Sequence, residues 1–320
     1  MIHILGVPFD GCGPRIGSAL GPAALRLAGL TTALTEIEDA GDVAFDRLPT
    51  EIGLRDFNTC LSLCSALQSS VMRSLEGGHM PLVLGGDHSM AIGSVSGALK
   101  HTGGDCAVLW IDAHADINTP ATTHTGNIHG MPIACLMGHR ASATSFSPGQ
   151  PGAIMAEQWD RLRETAGVTL DPAKMAWIGL RDVDPPEKKA ITKLEGAFAT
   201  TMHDVDRHGL PRIVEAFHEW AVGTGAKNLW ISFDVDSLDP VLAPGTGTMV
   251  RGGFTYREAH LLAELLAEKL AGGPYKLLGL DVVEVNPILD SHNETAQMAV
   301  EWLCSLFGKT ILGGYRQHGL

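Results

Sequence analysis

Short runs of β-forming apolar residues recur along the chain: IHILGV at residues 2–7, MPLVLG at 80–85, CAVLWI at 106–111, MAWIGL at 175–180, NLWISF at 228–233 and KLLGL at 276–280. Helix-like stretches separate them, among them Asn58 to Glu76, Leu210 to Ala221 and Tyr256 to Lys269. Such alternation makes βαβ units, whose crossovers return every strand in the same direction. Strands that are apolar almost throughout need cover on both faces. The pattern predicts an α/β fold with three layers, αβα, around a mostly parallel, doubly wound sheet. No repeat, long linker or composition break divides the 320 residues, so a single domain over 1–320 is expected. Ser142 to Gly152, rich in Ser, Gly and Pro, reads as an exposed loop.

Polar residues gather just beyond the carboxyl ends of these strands. Gly85-Gly86-Asp87-His88 follows one run and Asp112-Ala113-His114-Ala115-Asp116 the next. Arg181-Asp182-Val183-Asp184, Asp234-Val235-Asp236 and Glu284-Val285-Asn286 follow three more. Ligands of open parallel sheets bind outside the strand carboxyl ends, so these distant clusters are expected to converge on one site. Period-two spacing puts Asp112, His114 and Asp116 on one side of an extended segment; Asp234 and Asp236 repeat the device, and His88 adds an imidazole. Singly, Asp-x-Asp is more often a turn, and a histidine after Gly-Gly a core residue. The shared position of all the clusters outweighs those readings. Four carboxylates and two imidazoles repel unless divalent metal is placed among them. A thiolate-free, carboxylate-rich set suits manganese better than structural zinc. Six groups serve two metals only if some carboxylates bridge, the usual arrangement of hydrolytic pairs about 3.5–4 Å apart.

Charge then narrows the substrate. Two divalent cations against four aspartates and a bridging hydroxide leave a slightly negative centre, with Glu284 a further carboxylate nearby. Such a pocket favours a cationic group over a phosphate, which recruits Arg and Lys. Guanidinium, planar and rich in donors, fits. Acids outnumber bases by 36 to 23, giving −13 with histidines neutral, which argues against nucleic acid and anionic membrane as partners. The sequence shows neither a signal-peptide pattern nor an apolar run of about 18 residues. Cysteines 12, 60, 64, 106, 135 and 304 form no CxxC pair and read as buried free thiols, so a cytoplasmic location is expected.

The motifs GGDHS at 85–89, DAHADIN at 112–118 and SFDVDSLDP at 232–240 resemble those of the ureohydrolases, and within them the arginase family most closely. NTP at 118–120 and TGNIHG at 125–130 are similar to that family's substrate loop, and GLRDVDP at 179–185, GGFTYRE at 252–258 and DVVEVNP at 281–287 match further. The resemblance runs from Gly6 to about residue 307. It implies the arginase-like fold, two manganese ions per subunit and hydrolysis of L-arginine to L-ornithine and urea by a metal-bridging hydroxide. By matched motif, it implies one ion on His88, Asp112, Asp116 and Asp234, and the other on Asp112, His114, Asp234 and Asp236. It further implies that Asp116 orients the hydroxide, His129 relays protons and Glu284 anchors the guanidinium. Asn118, Thr125, Asn127 and Asp184 would hold the α-carboxylate and α-ammonium groups, and Thr248 would lie near the guanidinium. A homotrimer or homohexamer is implied as well, Arg257-Glu258 resembling a segment near subunit contacts.

Two residues depart from the family's pattern. Thr125 stands where Ser is common, keeping the hydroxyl. His124 stands where a small residue is expected, at the pocket rim, and either alters substrate affinity or is an inert surface histidine. Rival readings are a ureohydrolase acting on agmatine, guanidinobutyrate or formiminoglutamate, and a non-catalytic metal-binding module. Asn118 and Thr125 favour an amino-acid carboxylate over the first, and the full ligand set disfavours the second. Gly11-Cys12-Gly13 begins like a dinucleotide loop but Ile16 breaks it, and His218-Glu219 lacks the second histidine of a zinc-protease helix, where Val222 stands.

Overall fold

The computed structural model of the chain describes residues 1–50, 52–141 and 151–311. Its sheet is built from β1 (Ile2–Gly6), β2 (Ile37–Asp42), β3 (Met80–Leu84), β4 (Ala107–Ile111), β5 (Met175–Leu180), β6 (Phe198–Thr201), β7 (Asn228–Asp234) and β8 (Lys276–Val283). The order is β2-β1-β3-β8-β7-β4-β5-β6, and every pairing is parallel, where the sequence predicts a mostly parallel sheet. The six apolar runs are six of these strands. β2 and β6, which the sequence reading misses, are the two edges, and their segments IEDAGD and FATT leave most residues at least partly exposed. An edge strand is covered incompletely, so it carries no continuous apolar signature.

Alternation along each strand sorts side chains into two apolar layers. In β4, Val108 and Trp110 enter one layer, and Leu109 and Ile111 the other. β7 splits the same way, Trp230 against Leu229, Ile231 and Phe233. The helices Phe57–Glu76, Ala91–Thr102 and Pro151–Ala166 close the first layer; Leu210–Gly223, Tyr256–Gly272 and Glu294–Leu306 close the second. The three helix-like stretches read from sequence are therefore helices, each running slightly further than expected. Of the loop expected at Ser142 to Gly152, residues 142–150 lie outside the described residues, and Pro151 and Gly152 already begin a helix.

In the middle of the sheet stand β3, β8, β7 and β4, side by side. The chain passes from β3 to β4 over the first layer and from β7 to β8 over the second. Where successive crossovers leave on opposite faces, the loops diverge and open a crevice at the strand carboxyl ends. Gly86, just past β3, shows how tightly that end is built. A Cβ there would lie 1.7 Å from the Phe9 carbonyl oxygen, which accepts the Asp87 N–H at 2.9 Å. Only glycine allows the two backbones to approach so closely, and His88 is the second residue beyond it.

Candidate metal centre

All four central strands deliver side chains to the crevice. His88 follows β3, Asp112, His114 and Asp116 follow β4, Asp234 ends β7 with Asp236 just beyond, and Glu284 follows β8. Asp116 and Glu284 hold positive φ values of 52° and 64°, turning their side chains out of the strand direction. Left-handed backbone at a non-glycine residue is strained, and such strain gathers at functional sites.

His88 Nδ1 lies 3.2 Å from an oxygen of Asp112, 3.2 Å from one of Asp116 and 3.1 Å from one of Asp234. His114 Nδ1 lies 3.3 Å from Asp112 and 3.0 Å from Asp236. Two groups of potential ligand atoms result, His88–Asp112–Asp116 and Asp112–His114–Asp236, and Asp112 belongs to both. Asp234 stands against the first group through His88, while its other oxygen accepts the Asp236 N–H at 2.7 Å.

Hydrogen bonding around His88 decides which of its ring nitrogens can bind a metal. Ser232 gives its proton to Asp281, so its oxygen must accept from His88 Nε2–H, 2.8 Å away. Asp281 is itself fixed by Trp230 Nε1 at 2.8 Å and Ser94 Oγ at 2.7 Å. In a neutral His88 ring the lone pair is then on Nδ1, facing three carboxylate oxygens. His88 Nδ1 and Asp112 Oδ2 are buried and have no hydrogen-bond partner. Acceptors gathered round one point without a donor fit a divalent cation, and a ligand histidine that donates its other nitrogen to a fixed acceptor is the usual support. Trp110 stacks on the ring with centroids 4.0 Å apart and orients it further.

Protons fill the same role when metal is stripped. Burial pushes Asp116 up to about 6 and Asp234 well above the carboxylate range, and neighbouring aspartates add to both shifts. Burial alone would lower His88 and His114, but the carboxylates around them raise both well above ordinary histidine values. Groups raised on folding lend stability that is complete below their unfolded pKa and is lost as pH rises through the folded one, for Asp116 from 3.8 to about 6. Asp112, held low by His114 and His88 against the effect of burial, runs the other way. The stripped protein therefore sheds this contribution as pH rises, whereas metal binds deprotonated ligands more tightly. The melting-temperature gain from manganese is expected to be larger at pH 8 than at pH 6, by thermal unfolding of paired chelated and loaded samples. A gain that shrinks with rising pH contradicts the assignment.

Above the cluster opens a cavity of about 390 Å³. Asn118, Thr125, Asn127, His129, Asp184 and Thr248 all line it, as do the candidate ligands His88, His114, Asp116, Asp234 and Asp236. Asp112 and Glu284 are buried, 1% and 4% exposed, and are not part of the cavity wall. One Glu284 oxygen accepts the His88 N–H at 2.9 Å and meets His129 Nδ1 at 3.1 Å. Burial would raise Glu284, yet these contacts hold it below the usual range and lift His129 above its own. Asn118 Nδ2 donates to Asp184 at 3.2 Å, joining two predicted substrate residues. Thr248 donates to Asp236 Oδ2 at 2.9 Å, so it steadies a candidate ligand.

The profile of the Arginase family matches residues 1–308. The chain belongs to the arginase family. An arginase of Bacillus caldovelox is 38% identical over 322 residues, spanning 97% of this chain and 99% of that one, and its solved structure superposes with a TM-score of 0.80. Human "Arginase-2, mitochondrial" is 36% identical, spanning 98% of this chain and 86% of its own. A solved structure described as a hypothetical agmatinase from Burkholderia thailandensis is more distant, with 25% identity and a TM-score of 0.69 over 95% and 84% of the chains.

The arginase-family fold also brings in residues that the sequence reading passes over. Glu187 lines the cavity, 5% exposed, and accepts the N–H groups of Asp184 (3.0 Å) and Ile117 (3.2 Å), and burial pushes it up to about 7. Its signal was available, since Asp184-Pro185-Pro186-Glu187 has the spacing of a capping box before a helix. Asp281 was legible too, as a carboxylate inside an apolar strand. Asp182, 3.9 Å from His114 Nε2, gave no signal beyond its cluster.

Proposed function

We propose that this chain hydrolyses L-arginine to L-ornithine and urea at a pair of manganese ions. The observation that carries the reading is the unpartnered, buried Nδ1 of His88 facing three carboxylates, beside a second ligand group that shares Asp112. In this reading His88, Asp112, Asp116 and Asp234 would hold one ion, and Asp112, His114, Asp234 and Asp236 the other. When bound, the pair supplies water activated as a nucleophile near neutral pH.

The chain's own residues do the rest. Asp116 would orient the attacking water, and Glu284, behind the cavity wall, would anchor the guanidinium through its carboxylate charge. Nδ1 of His129 is committed to Glu284, which leaves Nε2 to exchange protons. Because Glu284 favours the charged ring, His129 can hand a proton to the departing amine as the C–N bond breaks. Asn118, Thr125 and Asn127 receive the α-carboxylate, and Asp184 the α-ammonium. The chain acts as one catalytic domain over 1–320, in the cytoplasm, as a homotrimer or homohexamer. Among the described residues no helix is long and apolar enough to cross a membrane.

Urea release from L-arginine and from agmatine, assayed side by side on manganese-loaded protein, tests the substrate. A site built to bind a carboxylate rejects the analogue lacking it, so kcat/KM for L-arginine is expected to be higher by at least about a hundredfold. Equal or faster release from agmatine overturns the assignment, and no release from either overturns the activity.

A further inference from the structure

Arg181, half-buried, is the first residue beyond β5. Its main-chain N–H donates to the Ala113 carbonyl at 2.9 Å, as does that of Asp182 at 3.0 Å, which pins it to the loop between Asp112 and His114. Among the described residues it pairs with no carboxylate, and its guanidinium binds main-chain carbonyls instead. Nη2 donates to those of Asp236, Leu238 (3.2 Å) and Val250 (2.9 Å), and Nη1 to those of Ser237 (3.2 Å) and Gly179 (3.4 Å). Nε adds a second bond to Val250 at 3.3 Å.

The carbonyls that end a helical turn lack partners within it. The turn Val235–Ser237 ends in three of them, those of Asp236, Ser237 and Leu238, gathered on one guanidinium. A planar fork of five donors can grip three successive carbonyls and a fourth from another loop. The three donors of an ammonium radiate from one atom and cannot. Gly253 leaves room for the fork, since a Cβ there would lie 2.6 Å from Arg181 Nη2. The gripped turn begins at Asp236, whose carboxylate accepts the Ala113 N–H on Oδ1 (3.2 Å) and the Thr248 hydroxyl on Oδ2 (2.9 Å). Thr248 lies two residues before Val250, on the other gripped loop. Asp236 and His114 are the candidate ligands that only the second proposed ion uses. His88 and Asp116, used only by the first, receive no hydrogen bond from this guanidinium.

We propose that Arg181 is a positioning residue for the second ion: it sets the Asp236 turn and the Thr248 loop against the loop bearing His114, so that this ion meets a preformed site. The inference rests on the two-ion reading above. The order it imposes belongs to the protein and persists when metal is removed. Its loss therefore weakens one ion selectively, because the first ion's own ligands are held from other strands.

Electron paramagnetic resonance during manganese titration of chelated parent, Arg181→Lys and Arg181→Gln provides the test, with circular dichroism to confirm the fold. In the parent, filling both positions converts the spectrum of an isolated ion into that of a spin-coupled pair. Both variants are expected to take up a first ion as the parent does. They should need about 10–100-fold more manganese for the coupled spectrum, the cost of removing a group that supports a ligand. A coupled spectrum at the parent's manganese concentration, or equal weakening of both ions, overturns the proposal. A parent that never shows a coupled pair refutes the two-ion reading instead. Hydrogen exchange of the parent gives a check that needs no variant. The Asp239 N–H bonded to the Phe254 carbonyl and the Phe254 N–H bonded to that of Ser237, each at 3.0 Å, join the gripped turn to the neighbouring loop. Both are expected to stay protected after chelation. Free exchange once metal is removed would show that metal, not Arg181, orders the turn, and would overturn the proposal.

Discussion

Asp112→Ala is expected to empty the metal centre as a whole. Its two oxygens reach both imidazoles, Oδ2 to His88 Nδ1 at 3.2 Å and Oδ1 to His114 Nδ1 at 3.3 Å, and among the described residues it belongs to both groups of potential ligand atoms. Truncation would remove one ligand from each of the two proposed sets at once. Loss of a group that merely supports a ligand costs about 10–100-fold in affinity or activity, so loss of a shared ligand should exceed about a hundredfold. Metal analysis of the purified variant, with circular dichroism to confirm its fold, gives the result. Asp182→Asn makes the contrast, because Asp182 approaches His114 only to 3.9 Å and lies outside both groups. It is expected to retain its metal. Full metal content in Asp112→Ala would refute the shared position.

His129→Ala should show the opposite division. Among the described residues no candidate metal group includes His129, so metal content is expected to stay at the parent's value while kcat falls by about 10²–10⁴, the range of a lost proton-transfer group. Partial recovery with added imidazole would identify the missing function as proton transfer. An undiminished kcat would remove His129 from the mechanism, and a parallel loss of metal would make it a structural residue.

The central sheet and its site were legible because one signal served both. A strand buried on two faces is apolar along its length, and a polar residue at its end then stands out, as Asp112 does after Trp110-Ile111 and Asp234 after Ser232-Phe233. Chain alternation supplied the parallel direction, which placed those ends on one side. β2 and β6 were illegible because edges are half covered. Asp39 and Asp42 of β2 instead pair with Arg26, a surface arrangement that no apolar pattern announces. The support of His88 through Ser232 and Asp281 was hidden for another reason. It depends on register between β7 and β8, which sets Ser232 beside Asp281, and register follows from packing across the whole sheet. The family's motifs named candidate ligands, but only the assembled geometry shows that Asp112 lies between the two imidazoles and that Thr248 turns to Asp236.

Progressive chelation of purified, active protein is the most direct measurement, with transition-metal content and urea release from L-arginine read on the same samples. Two ions per chain at the start, activity falling in step with their removal and returning with manganese, is the predicted result. Undiminished urea release from protein that contains no transition metal would contradict it.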